Sequence, residues 1–389
     1  MLPLTLGNIA YPIASELYLQ VDYNDEEVTA NKLLDKRLRH IQGACGQLCD
    51  TRRPSVGHGV IGHSFNHTSA HMPCAWLLAN GTGIDATLET RFPPKAPPAQ
   101  WIDEFTMHGR FPLRKYRGSY TNNSHESLAG NDLNAALAIQ DQRSARAKAS
   151  YPIRATAQWT RKEIDQKIAH AQASVWNKNK KGPRMWSRYH NLDKDILTAL
   201  RWVKVSGHNV LVIGSTTPWV EAIALAQGAR HVWTLEYANI LTNHDRVTTL
   251  TPPMFLERAR RGSLPTFDTV VSASSVEHSG LGRYNDGLNP WGDILAVGRA
   301  WCTAAAHARL VIAIPMSPEM WGRQPRNQTE AAEVEGIYFN AHRVYGQVRF
   351  PYLVTNWRLE HRVDPRKSNP NWGHTVHVFK RHTGSDDGH

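Results

Sequence analysis

At 389 residues, 41% of them apolar, with a formal charge of +11, the chain is longer than one ordinary domain and apolar enough for a sizeable core. No apolar run approaches the ~20 residues of a membrane helix, and the mixed sequence after Met1, with Glu16, Asp22 and Asp25, does not read as a signal peptide. The positive charge calls for an acidic partner. However, the Lys and Arg are spread along the chain, and the densest run, between Lys178 and Arg188, comes with no nucleic-acid motif, which argues against nucleic acid.

Residues 1–150 read as an irregular extension or small subdomain. Gly, Pro, His and Asn crowd the stretch from Thr51 to Pro98, and the run Phe92–Pro98 must be extended or turning. Helices are expected over Asp25–Ile41 and Asp132–Ala149. Glycosylation sequons stand at Asn66, Asn80, Asn122 and Asn327, and Cys45, Cys49 and Cys74 cluster in a way that suits one disulfide. Those two features point to an oxidising compartment, such as the secretory-pathway lumen. The mixed sequence after Met1 points to the cytoplasm unless an N-terminal anchor is missing from it. The 13 Trp are read first as large core residues.

Residues 151–389 carry sharper signals. Thr160 with Glu163 forms a capping box ahead of Ile164 and Ile168. Leu192, Ile196, Leu197 and Leu200 mark a second helix. Val210–Ile213 is a short, wholly apolar strand, suited to a parallel sheet covered on both faces. Trp219–Gln227 reads as a helix stopped by Gly228, and His231–Glu236 as the next strand. Further on come a strand at Phe267–Ala273, a helix at Gly292–Ala306 and a strand at Arg309–Ile314. A helix is expected over Val344–Thr355, followed by strands at Trp357–Val363 and Thr375–Lys380. The alternation predicts an α/β fold: a Rossmann-like, doubly wound, mainly parallel sheet. Ligands on such sheets bind beyond the carboxyl ends of the strands.

The first strand exits through Gly214, Ser215, Thr216, Thr217, Pro218 and Trp219. A dinucleotide fold needs two further glycines there to admit a pyrophosphate, so an NAD reading is weak. S-adenosylmethionine carries a carboxylate instead, which amides at a turn and helix start can meet. Glu236, at the end of the second strand, stands where an acidic side chain accepts the hydroxyls of a ribose, and Tyr237 is placed to flank the adenine. The strand containing Asp268 runs out into Ser274, Ser275, Glu277 and His278, where a His can act as general base. Two polar loops follow, one with Arg283, Tyr284, Asp286 and Asp293, the other with Asn340, His342, Arg343 and Tyr345. Neither has a known metal spacing.

At VIGSTTPWVEAIALAQGA, TLEY, FDTVVSASSVEHSGLGRYNDGLNPWGD and FNAHRVYG, the chain resembles a eukaryotic family first catalogued from nematode proteins as a domain of unknown function. The resemblance covers about Trp159 to Val363 and implies a class I methyltransferase-like fold. More distantly, the chain is similar to small-molecule methyltransferases with Glu-His after the fourth strand, which implies that Glu277 and His278 line the reaction centre. It departs from ordinary methyltransferases at the first turn, where the usual Gly-x-Gly is absent.

The resulting expectation is an S-adenosylmethionine-dependent methyltransferase acting on a hydroxyl of a small molecule or glycan. Gly214, Ser215, Thr216, Trp219, Glu236, Tyr237, Ser274 and Ser275 would bind the cofactor, and Glu277, His278, Asp286 and His342 would serve the reaction. Arg283, Tyr284, Asp293, Asn340, Arg343 and Tyr345 would meet the acceptor. A sugar-nucleotide-dependent glycosyltransferase-like enzyme, with Asp286 or Asp293 on a metal, is the alternative; a binding module with a degenerate cleft is another.

Overall fold

The computed structural model describes residues 25–52, 70–79, 97–114, 156–176, 192–282, 286–321, 334–339, 341–363 and 374–382. The four sequons, the basic run and the helix expected over Asp132–Ala149 lie outside them. In the N-terminal part, α1 spans Asp25–Cys45, running past Ile41, and α2 (Cys74–Leu77) and α3 (Ile102–Phe105) are short. Next come β1 (Thr156–Trp159), α4 (Arg161–Trp176) and α5 (Leu192–Val203). The Glu163 N–H donates to Thr160 Oγ1 at 3.2 Å, which is half of the expected capping box.

The alternating series then begins with β2 (Asn209–Ile213), α6 (Trp219–Ala226), β3 (His231–Leu235), β4 (Asn239–Thr242), β5 (Val247–Leu250) and α7 (Pro252–Arg260). It continues with β6 (Phe267–Ala273), α8 (Gly292–Thr303), β7 (Ala304–Pro315), β8 (Gly336–Tyr338), β9 (His342–Val344), α9 (Phe350–Leu353), β10 (Trp357–Arg362) and β11 (His374–Arg381). Seven strands make one sheet, in the order β10-β11-β7-β6-β2-β3-β5. Renumbered by appearance within the sheet, that order is 3-2-1-4-5-7-6. Strands β2, β3, β5, β6 and β7 run parallel, and β11 is antiparallel to both neighbours. The first five strands are the doubly wound half of a Rossmann sheet, and the reversed last strand slots between the fifth and sixth. This is the class I methyltransferase-like arrangement.

Side chains alternate across the sheet, and both faces are dry. Val210, Val212, Val232, Val271, Val311 and Val376 pack under α4, α5 and α6. Leu211, Ile213, Val270, Leu310, Ile312 and Phe379 pack against Phe255 of α7 and Val297 of α8. Burial on both faces is why these strands read as unbroken apolar runs. Gly228, at φ +90, ends α6 as expected, and a Cβ there would meet Ser206 Oγ at 2.9 Å.

Three expectations need correction. The helix expected over Val344–Thr355 is confined to Phe350–Leu353. Tyr345 instead lies beside the end of β7, its N–H donating to Pro315 O and its C=O accepting from Ser317 N–H, so the chain there is extended. Strand β7 begins at Ala304, within the span read as helix. Finally, the third parallel strand β5 and helix α7 gave no periodic signal, because VTTL is short and half polar.

The described pieces of residues 25–114 share a core with the rest of the chain. Leu34, Leu38, Leu77, Trp101 and Phe105 cluster with Leu281, Trp291, Leu295 and Ile337. Cys45 bonds Cys49, and Cys74 bonds Cys302 on α8, so there are two disulfides rather than the single one expected. The segment also adds backbone pairing to β8, with Arg114 N–H donating to Ile337 O and Ile337 N–H to Pro112 O. No helix among the described residues is long and apolar enough to cross a membrane.

Candidate active site

The site lies where the first and fourth sheet strands, β2 and β6, end. Gly214 leaves β2 at φ +73, and a Cβ on it would sit 1.6 Å from Ser275 Oγ, so only glycine fits. The turns after β2 and β6 are therefore in direct contact. The next amide, Ser215 N–H, donates to Glu236 Oε2 at 2.7 Å, while Glu236 Oε1 accepts from Tyr237 N–H at 2.7 Å. Burial raises the Glu236 carboxyl, against the pull of these backbone donors. Thr216 is exposed, and Trp219 is half-buried at the first residue of α6. Of the residues expected at the cofactor, Gly214, Ser215, Glu236, Tyr237 and Ser275 are thus brought together.

Behind this turn sits Glu221, which has no exposed surface. Its Oε1 accepts from Thr234 Oγ1 at 2.8 Å and its Oε2 from Ser215 Oγ at 3.1 Å. Burial pushes its pKa up to about 7.

Beyond β6 the backbone is bent into an unusual conformation. Ser274 has φ +53, which is uncommon outside glycine, and is held there by donating its N–H to Ala313 O on β7. Its hydroxyl donates to Glu277 Oε1 at 2.8 Å. Two imidazoles flank that same oxygen, His278 Nε2 at 3.6 Å and His374 Nε2 at 3.5 Å. Burial pushes the Glu277 carboxyl up, but His278, His374 and Ser274 outweigh it and hold it at about 2. The second oxygen, Oε2, is buried with no hydrogen-bond partner among the described residues. His278 Nδ1 lies 2.6 Å from Ala341 O. A carbonyl only accepts, so the proton of the neutral ring sits on Nδ1 and the lone pair on Nε2. His342 stacks on Tyr338 at 5.2 Å and meets His278 edge-on at 6.2 Å. Ser274, Glu277, His278 and His342 are thus one cluster, next to the turn after β2.

The other expected residues divide into three groups. Asp286 is buried and accepts from Gly280 N–H at 2.6 Å, closing the loop after His278. Arg283, Tyr284 and Asn340 lie outside the described residues. Asp293, Arg343 and Tyr345 have no exposed surface and bind one another, not a cleft. Asp293 takes a two-pronged bond from Arg349 (2.6 and 2.9 Å) and the Tyr345 hydroxyl at 2.9 Å, with Arg343 Nε 3.7 Å away. Burial raises the Asp293 carboxyl, and the two guanidinium groups reverse that and hold it at about 2. Arg343 also donates to Ser279 O at 2.6 Å, so the network fixes the loop that carries His278.

Residues 207–363 match the family described as "Caenorhabditis protein of unknown function, DUF268". No curated protein matches the chain by sequence. Among solved structures, the chain is similar to the 1,6-didemethyltoxoflavin-N1-methyltransferase of Burkholderia thailandensis, solved with S-adenosylhomocysteine bound. That pair shares 13% identity and a TM-score of 0.36, covering 70% of this chain and 100% of the other. The N-methyltransferase NodS of Bradyrhizobium japonicum is 12% identical, with TM-score 0.30, over 49% of this chain and 97% of its own. An S-adenosylmethionine-dependent methyltransferase of Mesorhizobium loti is 14% identical, with TM-score 0.32, over 49% and 100%.

Sequence reasoning missed Glu221, Arg349 and His374. Glu221 could have been flagged as the acid in an otherwise apolar helix, WVEAIALA. His374 gave no such signal, since it reaches Glu277 only because β11 pairs antiparallel with β7 and places it opposite Pro315.

Proposed function

We propose that this chain is an S-adenosylmethionine-dependent methyltransferase acting on a hydroxyl of a small molecule or glycan. The observation that carries the reading is the 2.7 Å bond between Ser215 N–H and Glu236 Oε2, beside the contact of Gly214 with Ser275. The donor set fits such a cofactor. Glu236 would accept from the ribose hydroxyls, and the turn beyond Ser215, with Thr216 and Trp219, would meet the amino-acid end, the Ser215 N–H itself being held by Glu236. Tyr237 and Ser274 would flank it. When bound, the cofactor supplies an electrophilic methyl on a cationic sulfur.

His278 Nε2 takes the acceptor's proton, and the Glu277 carboxylate stabilises the resulting imidazolium. The unpartnered Glu277 Oε2 gives a further acceptor for a donor group on the substrate. Asp286, Asp293, Arg343 and Tyr345 act indirectly, by holding the loop after His278, while His342 and Tyr338 wall the acceptor side. Arg283, Tyr284 and Asn340 are proposed to meet the acceptor. The N-terminal extension covers it through Pro112, Arg114 and Phe105, which contacts Phe339.

Isothermal titration with S-adenosylmethionine tests the reading: the wild type gives binding heat, and Glu236→Ala binds more weakly. Absence of heat from the folded wild type would remove the assignment. A screen of hydroxyl acceptors with methyl-labelled cofactor then addresses the acceptor.

A further inference from the structure

Glu221 has no part in the reaction above, yet it is wholly buried directly behind the cofactor turn. A carboxylate is tolerated in such surroundings only with hydrogen bonds to both oxygens. It has them, from Thr234 Oγ1 at 2.8 Å and Ser215 Oγ at 3.1 Å. The same Ser215 oxygen lies 2.9 Å from Thr217 O, within the turn. A hydroxyl has one proton and cannot donate fully to both acceptors.

The protonation state of Glu221 therefore decides where the Ser215 proton goes. An ionised Glu221 competes for it. A protonated Glu221 becomes a donor to Ser215 Oγ, and the Ser215 proton then closes the turn onto Thr217 O. Ser215 is also linked through its amide to Glu236. Two carboxylates are thus joined through one serine, and each raises the other's cost of ionisation. Glu236 is the charged group that acts on Glu221 among the described residues. The helices packed on α6 bring His170 (α4) and Asp193 (α5), whose charges act on each other.

Resting on the cofactor reading above, we infer that Glu221 is a positioning residue whose bound proton makes the cofactor turn competent. A neutral Glu221 leaves Glu236 as the ionised partner for the ribose and removes a buried negative charge from behind amides that must meet the cofactor's carboxylate. Burial places the titration of Glu221 near pH 7, so the effect falls in an accessible range.

The test is titration of S-adenosylmethionine into the full chain at pH 6, 7 and 8, repeated in buffers of different ionisation enthalpy. Affinity is expected to weaken about tenfold from pH 6 to pH 8, with uptake of up to about one proton at pH 8. Glu221→Gln, which imitates the protonated acid, should bind at pH 8 as tightly as the wild type does at pH 6, with a flat profile. Binding without proton uptake at pH 8, or a Gln variant that stays as weak as wild type there, overturns the inference and leaves the cofactor reading standing. Absence of heat at every pH overturns both. Because the cofactor's own α-amino group also titrates at about pH 8, only uptake that Glu221→Gln abolishes is assigned to Glu221. Undiminished uptake in that variant overturns the inference. If the variant does not fold, Thr234→Val, which removes a donor to Glu221, should move the weakening to higher pH, and an unmoved profile overturns the inference.

Discussion

The main-chain N–H of Ser215 and the side chain of Glu236, from two different crossings of the sheet, meet at 2.7 Å. The pairing of Ile213 with Leu235 in the parallel ladder puts them there, since each is just beyond its strand's last paired residue. Removing the Glu236 carboxylate takes away an ionic acceptor worth about 1.5–3 kcal/mol per bond. Glu236→Ala should weaken S-adenosylmethionine about ten- to a hundredfold by calorimetry. An affinity within a factor of two of wild type would contradict the role.

His278 donates from Nδ1 to Ala341 O, leaving Nε2 as the base. His278→Asn should lower kcat by about a hundredfold or more and leave cofactor affinity unchanged. Equal losses in both would point to a structural effect.

Asp293 is shared by Arg343 and Arg349 with no access to water. Asp293→Asn strands two buried cations, and breaking such a group costs about 3–5 kcal/mol. Chemical denaturation should register a loss of that size, together with a weakened acceptor side, because the same network holds Ser279 O and Pro290 O.

The Cys74–Cys302 bond spans 228 residues of sequence and ties the N-terminal part to α8. In the chain-entropy account a loop of that length contributes at most about 5 kcal/mol. A Cys74→Ser, Cys302→Ser double variant should melt well below wild type. A melting temperature unchanged by the loss would argue that the residues 25–114 hold their place by packing alone.

His377 is buried on β11 beside Phe350 and Phe379, and burial depresses it to about 3. The unfolded chain takes up a proton near pH 6.5 and the folded one does not. Its contribution is therefore complete above pH 6.5 and is lost as pH falls from there towards 3. His208 and His231, lowered chiefly by burial, act in the same direction. Glu221 and Glu236, raised by burial, act in the opposite direction over this range, so the effect is read as a difference. The change in stability from pH 7 to pH 5 should be less favourable in the wild type than in His377→Phe.

Much of the sheet was legible because its strands are buried on both faces. VLVI and RLVIAI are apolar at every position, and Gly228 closes α6 in the only backbone region that ends a helix so tightly. The segment Val344–Thr355 misled because its helical spacing is real but local, and pairing with the end of β7 outweighs local preference. In the candidate site, Gly214, Glu236 and His278 could be found from their distance to a strand end. His374 and Arg349 could not.

By itself, the sequence determined most of the central strands and the end of the sheet at which a ligand would sit, because apolar periodicity and turn residues act over a few residues. Only the tertiary structure decided which polar residues face a ligand and which are consumed by the core. Asp293, Arg343 and Tyr345 look functional in a polar loop but neutralise one another out of reach of solvent. Glu221 looks incidental but lies behind the turn after β2, bonded to Ser215. That difference is one of burial and partner geometry, which strand order sets across large separations in the chain and no local pattern encodes.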